Sequence, residues 1–345
     1  MRVQAEQQLA SNGVVLPTPQ TAQWLVGVGC NDSKLLTTFD CDGHVSGALG
    51  VGIGRSRSLP GHVIYRVPRL AACREASAET MLLEGLAQIA RRDPRCIRLH
   101  IELFEPDPEL RARLSKTLQE LGFVKAAEPT AYAYTPYLDL GPSEDELFAK
   151  CASSARRNVR APAKRGLYLA TVTDPSYAAR LQALMNEVFE RTGGTTRDLP
   201  WTTILEMSAA SPERSRIIGL YAPNETGPEG LVAFSWGCVN GNYVTYEAGA
   251  STRSRDLGNL ALAYAPLWDL IAWAKRSGAR WFDFGGVPSP KVSSTSEDPL
   301  AGIADFKRFF CERIVEGGED WILEPKPVRA FLARAVRAAA TRARA

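Results

Sequence analysis

Two short segments late in the chain carry the residue types best suited to chemistry. Trp281–Gly286 reads as a short buried strand that contains Asp283 and runs into a pair of glycines. The second segment, Asp305–Phe310, places Lys307 among aromatic residues. Glycines let a substrate approach the backbone closely. A lysine held among aromatics is poorly hydrated, and its charge can stabilise a developing oxyanion. The two segments predict a transferase site at the carboxyl end of a strand.

Each of these residues also has a purely structural explanation. Lys307 could be a surface lysine between packed phenylalanines. The side chain of Asp283 should point away from those of its strand neighbours, because successive side chains alternate. It could orient Lys307 or a substrate amine, act as a base, or cap a neighbouring turn. Gly285 and Gly286 are either positions of close backbone approach or a plain turn.

Composition limits the kind of protein and the kind of chemistry. A chain of 345 residues with 45% apolar and 23% charged residues is typical of a soluble protein of two domains. Seven scattered cysteines without a CxxC pair indicate reduced thiols in a cytoplasm, and they argue against a zinc site. Only three histidines are present, so the sequence offers few residues for serine–histidine catalysis or metal-dependent hydrolysis. The sequence contains no apolar run of about 18 residues, so we expect no membrane span. We also expect no cofactor.

Positive charge is concentrated in two segments, although the net charge is only +3. Residues 150–165 and 326–344 each hold six Lys or Arg and no acid. In the first segment Arg156, Arg160 and Lys164 follow one another at intervals of four, which predicts one basic stripe on a helix. Phosphates could lie along this stripe, with an affinity that falls with salt. The alternative is a solvated helix face. A C-terminal helix is expected over 331–344. It either assists in binding phosphates or is a frayed tail.

The surrounding pattern predicts the elements that position these residues. Apolar runs and turn signals indicate strands at 35–39, 45–53, 63–67, 97–103 and 134–140, with helices at 77–91 and 107–122. His100 should face solvent beside the core. A capping box at Ser143–Glu146 opens a helix that should run to Ala161, where Pro162 ends or kinks it. Further helices are predicted at 176–190, 201–208 and 258–276. Strands are predicted at 216–221 and in a hairpin around Asn240-Gly241.

Both halves therefore have a similar order of elements. We expect two related α/β domains, at 1–142 and 143–325, followed by a basic helix or tail at 326–345.

Taken in order, these segments give the chain a family resemblance: it resembles the Fem-type (FemABX) aminoacyltransferases, which consist of two tandem GNAT-like domains. The resemblance covers roughly residues 45–320. It rests on an ordered set of motifs, which are Tyr65–Arg69, Ala155–Arg160, Arg197-x-x-x-Trp201, Tyr246–Ser251, Asp283–Gly286 and Phe306-Lys307-x-x-Phe310. The chain departs from the family pattern at three places: Trp201 replaces a tyrosine, Pro162 interrupts the basic helix, and Arg69-Leu70 replaces Gly-Pro. The implied fold is α/β, with a mixed central sheet flanked by helices in each domain.

The resemblance implies transfer of an amino acid from aminoacyl-tRNA to an amine of a peptide, a cell-wall (peptidoglycan) precursor or a peptide-like natural product. Aminolysis of an activated ester needs orientation and oxyanion stabilisation more than a nucleophile. We expect Lys307 to supply the charge, helped by backbone N–H groups near Phe306, with Asp283 beside it. The N-terminal domain is expected on the acceptor side and the C-terminal domain on the donor side. Predicted donor or tRNA contacts are Arg156, Arg157, Arg160, Lys164, Arg253, Arg255, Gly285 and Gly286. Predicted acceptor contacts are Tyr65, Arg66, Arg197, Trp201 and Tyr246, for which ordinary packing is the alternative.

Two other functions are compatible with the same sequence. An acyl-CoA-dependent N-acyltransferase needs a glycine-containing loop whose N–H groups hold the pyrophosphate at a helix start. Here Arg255–Leu260 matches at Arg255 and Gly258 only, and we interpret it as a degenerate loop. A non-catalytic protein that binds RNA or the precursor is the third possibility.

Overall fold

The computed structural model of the chain describes residues 2–71, 73, 75–127, 129–192, 198–253, 257–289 and 301–342. Its strands are β1 (Asp32–Phe39), β2 (Val45–Arg55), β3 (Val63–Leu70), β4 (Cys96–Phe104), β5 (Val124–Lys125), β6 (Tyr134–Asp139), β7 (Tyr168–Thr171), β8 (Ser215–Tyr221), β9 (Leu231–Asn240), β10 (Tyr243–Ser251), β11 (Trp281–Asp283), β12 (Ile314–Glu316) and β13 (Gly318–Leu323). Its helices are α1 (Arg2–Ser11), α2 (Ala22–Gly27), α3 (Ala76–Arg92), α4 (Pro108–Glu120), α5 (Glu144–Lys150), α6 (Ser153–Arg160), α7 (Ala178–Thr192), α8 (Trp201–Ala210), α9 (Tyr264–Arg276), α10 (Ala301–Arg308) and α11 (Pro327–Arg342).

The chain forms two compact units, each around its own mixed sheet, which confirms the predicted fold class. Unit 1 comprises Met1–Ala133 and Glu316–Ala345, and unit 2 comprises Tyr134–Val315. None of the described helices combines the length and the apolar character needed to cross a lipid bilayer.

Unit 1 has a six-stranded sheet in the order β1-β2-β3-β4-β13-β5. The pair β3 and β4 runs parallel, and the other neighbours are antiparallel. Alternate residues of the strands are buried because α3 and α4 place leucines against the sheet. Asp107 caps α4 through its carboxylate, and Pro108 occupies the first turn, as predicted.

Unit 2 has a seven-stranded sheet in the order β12-β6-β11-β10-β9-β8-β7. The pair β10 and β11 is parallel, and β6 lies antiparallel on the other side of β11. The predicted hairpin between β9 and β10 turns at Gly241, whose φ of +66° favours glycine. The core consists mainly of α9 side chains packed on Phe282 and Phe284.

The division into units differs from the expected boundaries at two strands. β6 belongs to unit 2 although it was expected to close the first domain, since it pairs with β11. β13 belongs to unit 1 although it was expected in the second domain, since it lies between β4 and β5. β6 is contiguous with the rest of unit 2, whereas β13 completes the sheet of unit 1 after the chain has passed through all of unit 2.

Two predicted helices have different bounds. The helix expected from Ser143 to Ala161 is broken at Cys151 and Ala152, whose backbones are extended between α5 and α6. The capping box of Ser143 and Glu146 is present as predicted. The helix expected from Gly258 begins only at Tyr264, and Gly258 itself has a φ of +63°, which is not helical.

Candidate active site

The candidate site lies in unit 2, where the parallel strands β10 and β11 part. Their pairing ends at Thr245 opposite Asp283, and β10 then continues through a register shift near Glu247 to Ser251. Ligands of α/β proteins commonly bind where the carboxyl ends of parallel strands diverge. Gly285 and Gly286 follow β11 directly at this point.

Lys307 is buried at this opening, with 6% of the residue exposed. Its Nζ donates a 2.8 Å hydrogen bond to the carbonyl oxygen of Gly286. Burial lowers the pKa of Lys307 to about 8, and the nearby carboxylate of Asp283 opposes this shift. This burial does not fit the alternative explanation of Lys307 as a surface lysine between packed phenylalanines. The ammonium remains largely protonated near neutral pH, and it is poorly hydrated.

Asp283 is fully buried, and its carboxylate holds the glycine turn in place. One oxygen of its carboxylate accepts hydrogen bonds from the backbone N–H of Gly285, at 2.9 Å, and from the hydroxyl of Thr135, at 2.6 Å. The same hydroxyl lies 3.0 Å from the carbonyl oxygen of Gly285. Asp283 therefore holds the turn that carries the acceptor of the Lys307 hydrogen bond.

The glycine turn lies close to Lys307. Gly285 has a φ of +74°, and a Cβ at this position would lie 3.4 Å from the carbonyl oxygen of Tyr246 and 3.6 Å from the Nζ of Lys307. The backbone conformation thus favours glycine at this position, and a Cβ added there would be in van der Waals contact with Lys307.

Phe306 packs rather than exposing its backbone. Its ring makes edge-to-face contacts with Tyr264, at 4.8 Å, and with Phe310, at 5.7 Å. Phe306 is the sixth residue of α10, so its N–H is one that donates to the helix carbonyl four residues earlier. This geometry therefore gives no support to the expected help from the Phe306 backbone.

Three helices meet at this aromatic cluster. Tyr264, at the start of α9, is hydrogen-bonded to the side chain of Asn158 on α6. The N–H of Ala152, just before α6, donates to the carbonyl oxygen of Phe309 at 2.9 Å. These contacts attach the basic helix α6 to the end of α10 and so to Lys307.

The basic residues of this region have different environments. Arg157, Arg160 and Lys164 are exposed, but Lys164 lies beyond the end of α6 in a 3-10 turn. The guanidinium of Arg156 donates to the carbonyl oxygens of Ala149, at 2.7 Å, and Cys151. Arg156 thus caps the end of α5 rather than projecting with the stripe. Arg160 lies 4.8 Å above the ring of Phe148.

Arg253 is exposed at the end of β10, beside an open pocket of 540 Å³. The pocket is lined by Glu187, Glu190, Arg191, Thr252 and Arg253. Burial, and next the charge of Arg253, lower the pKa of Arg191. Lys307 is not among the lining residues, so we do not include this pocket in the site. Arg255 lies outside the described residues.

Among the predicted acceptor residues of unit 2 that the structure describes, Tyr246 alone lies next to Lys307, through its backbone carbonyl beside Gly285. Burial raises the pKa of the Tyr246 hydroxyl, which is hydrogen-bonded to Ser235. Trp201 is 3% exposed, its indole N–H donates to Gln182 at 3.0 Å, and it packs on Phe234. Trp201 is therefore a core residue and not a ligand contact. Arg197 lies outside the described residues.

The two predicted residues of unit 1 lie on β3 and face opposite ways. Tyr65 is buried, and its hydroxyl donates to Asp93 at 2.9 Å, so this side chain is part of the core. Arg66 is exposed on the other face of the strand. Three residues further, Arg69 adopts a φ of +53° at the position where the family pattern has glycine. Its guanidinium lies 4.4 Å above the ring of Phe104 and donates to the hydroxyl of Tyr132.

Sequence reasoning missed Thr135, Asn158 and Tyr264. Asn158 lies inside a quoted motif, and its neighbours drew attention only for their charge. Thr135 and Tyr264 give no signal in the sequence, because their partners are distant along the chain.

Comparisons with known proteins agree with this architecture. Residues 149–308 match the family model of the acetyltransferase (GNAT) domain. The whole chain is similar in structure to FemX, with a TM-score of 0.74, 15% identity, and coverage of 96% of this chain and 98% of that chain. A sequence search of curated proteins gives no significant match.

Two further solved structures have TM-scores of 0.55 and 13% identity. They are the C-terminal domain of a putative lysylphosphatidylglycerol synthetase from Agrobacterium fabrum, covering 98% of this chain and 97% of that chain, and L-PGS from Bacillus licheniformis, covering 97% of each. The chain has the Fem-type tandem GNAT fold, and its second unit contains the matched acetyltransferase-like domain.

Proposed function

We propose that this protein is an aminoacyltransferase that forms an amide bond between an amino acid carried by tRNA and an amine of a peptide acceptor. The observation that carries the proposal is the buried ammonium of Lys307, held 2.8 Å from the carbonyl of Gly286 where two parallel strands part. A charge in this water-poor position stabilises the oxyanion formed when an amine attacks an aminoacyl ester.

The residues around Lys307 support direct aminolysis rather than a covalent intermediate. All three histidines of the chain lie outside residues 134–315, so unit 2 has no imidazole to activate a nucleophile. Burial raises the pKa of Cys151 to about 11 and also raises that of Cys311, which leaves both thiols protonated and unreactive. The aminoacyl ester of tRNA is activated already, and its aminolysis does not require a protein nucleophile.

The donor is supported by the exposed charges of α6. Arg157 and Arg160 are exposed on a helix that is attached to α10 through Ala152. Their position suits the phosphates of a tRNA acceptor end whose ester reaches Lys307.

The acceptor class follows from the family resemblance, which favours a cell-wall precursor peptide or a related natural product. Arg66 and Tyr246 remain proposed acceptor contacts, while Trp201 and Tyr65 are not retained.

A CoA-dependent acyltransferase is the second candidate, since residues 149–308 match an acetyltransferase domain. A pyrophosphate site at the start of α9 would need backbone N–H groups that face solvent. Leu257 and Leu260 instead pack on an apolar cluster with Leu262, shortly before α9 begins. We therefore favour the tRNA ester as donor.

The test supplies the full chain with radiolabelled aminoacyl-tRNA, and separately with acetyl-CoA, together with peptide amines. Transfer of label from aminoacyl-tRNA, lost in Lys307→Met, is the expected result. Transfer from acetyl-CoA alone would establish the second candidate instead. Binding of tRNA or peptide without transfer from either donor would indicate a non-catalytic binding protein.

A further inference from the structure

The last helix, α11, presents an apolar face to solvent. Large apolar side chains are strongly exposed on it: Val328 at 73%, Phe331 at 63%, Leu332 at 48% and Val336 at 49%. These positions follow helical spacing, so the side chains form one continuous stripe, which the exposed Ala335 and Ala339 extend. Scattered apolar residues on a surface are ordinary, but a contiguous stripe marks an interaction site.

The orientation of α11 is fixed by its contacts with the rest of unit 1. Ala330 is buried against unit 1, with 2% of the residue exposed. Arg329 donates to the carbonyl oxygen of Pro94 at 2.6 Å, and Arg334 pairs with Glu324. Because Ala330 lies on the face opposite the stripe, its burial directs Val328, Phe331, Leu332 and Val336 outward.

The charge of the same segment indicates what the stripe contacts. Residues 325–345 contain six Lys or Arg and no Asp or Glu. A helix that combines an apolar stripe with an excess of positive charge is typical of segments that lie in the interface of an anionic bilayer. A nucleic-acid backbone would match the charge but not the exposed phenylalanine and leucine. A second copy of the chain would match the apolar stripe but would bring two positive helices together.

We propose that α11 binds the surface of an anionic lipid membrane, lying parallel to it with Phe331 and Leu332 at the headgroup boundary. The basic residues contribute through attraction to lipid phosphates within a Debye length of the surface. The association is peripheral and reversible, since one short helix buries little apolar area. It does not depend on the proposed transfer reaction, and it is measured without donor or acceptor.

The test is cosedimentation of the full chain with phosphatidylcholine vesicles, with or without phosphatidylglycerol. We expect binding only when phosphatidylglycerol is present, weakened by added salt. The double variant Phe331→Ser/Leu332→Ser should lower the bound fraction at least about tenfold, because it removes the two central apolar side chains. The matched control is Val124→Ser, since Val124 is 63% exposed on β5 in the same unit. This control should bind as the natural chain does.

Three results would overturn the proposal. The first is equal binding of the double variant and the natural chain, with circular dichroism showing that both are folded. The second is a dimer in light scattering that the double variant loses while vesicle binding is absent, which would assign the stripe to a second copy. The third is that the natural chain does not bind vesicles and the double variant loses tRNA binding, which would assign the stripe to RNA.

Discussion

The hydroxyl of Thr135 donates a 2.6 Å hydrogen bond to the carboxylate of Asp283, across the pair of strands β6 and β11. The same carboxylate accepts the backbone N–H of Gly285. A strand from the middle of the chain therefore sets the position of the turn whose next residue, Gly286, holds Lys307.

Thr135→Val should loosen this turn. The change removes the hydroxyl and leaves the buried carboxylate of Asp283 without that donor, which should cost about 1–3 kcal/mol of the free energy of unfolding. We also expect a lower kcat for transfer. Urea denaturation and initial rates check both effects. Thr135→Ser keeps the hydroxyl and is the control; equal kcat values in the two variants would contradict a positioning role for Thr135.

Gly285→Ala should disturb Lys307 specifically. At a φ of +74° an alanine is strained by about 1 kcal/mol, and its Cβ would lie 3.6 Å from Nζ. Gly241→Ala is a matched control, because Gly241 has a φ of +66° but a Cβ added there would have no neighbour within 4 Å. Both variants should lose similar stability in thermal unfolding, and only Gly285→Ala should lose transfer activity. Equal activity in the two variants would remove Gly285 from the site.

Lys307→Met should lower activity and raise stability. Loss of the ammonium should reduce the transfer rate by about 100-fold or more. The lowered pKa of Lys307, about 8 against 10.5, means that folding at neutral pH buries a charge at a penalty. The variant should therefore gain roughly 1–3 kcal/mol of the free energy of unfolding at pH 7. Chemical denaturation measures this gain. A less stable variant with unchanged turnover would show that Lys307 has a purely structural role.

The pH dependence separates two roles of Lys307. The unfolded chain binds the proton of this lysine more tightly, so the stability penalty is present below pH 8 and is relieved between pH 8 and 10.5. If the ammonium stabilises the oxyanion, transfer relative to Lys307→Met falls as pH rises through about 8. If neutral Lys307 acts as a base, this ratio rises instead. Comparing the two proteins at each pH cancels the ionisation of the acceptor amine.

Substitution of Arg157 should affect tRNA binding, whereas substitution of Arg156 should affect stability. Arg157 is exposed, so Arg157→Gln should weaken aminoacyl-tRNA binding and reduce its salt dependence without affecting stability. Arg156 donates to the carbonyl oxygen of Ala149, so Arg156→Gln should destabilise the protein by about 1 kcal/mol. Filter binding at several salt concentrations and thermal unfolding distinguish the two. Unchanged tRNA affinity in Arg157→Gln would argue against a tRNA contact at this position.

The sequence was most informative where local chemistry decides the structure. The capping box at Ser143 and the turn at Gly241 have local causes, and both were predicted. The fold class followed from the order of elements. The break at Cys151 was not predicted, because it depends on the contact of Ala152 with Phe309 far along the chain.

The candidate site was predictable only in part, for a similar reason. Lys307 and Asp283 stood out by residue type among aromatic neighbours, and they lie in one site. Trp201 matched a motif, but its burial depends on Gln182 and Phe234, which no local pattern reveals. Thr135 could not be found, because β6 was expected in the other domain.

The crossing of β13 into the first sheet has a consequence for synthesis on the ribosome. Vectorial translation usually lets an N-terminal domain fold first. Here every residue of Tyr134–Val315 is made before Gly318–Leu323, the strand that lies between β4 and β5. Unit 2 can therefore fold while the sheet of unit 1 still lacks the strand between β4 and β5.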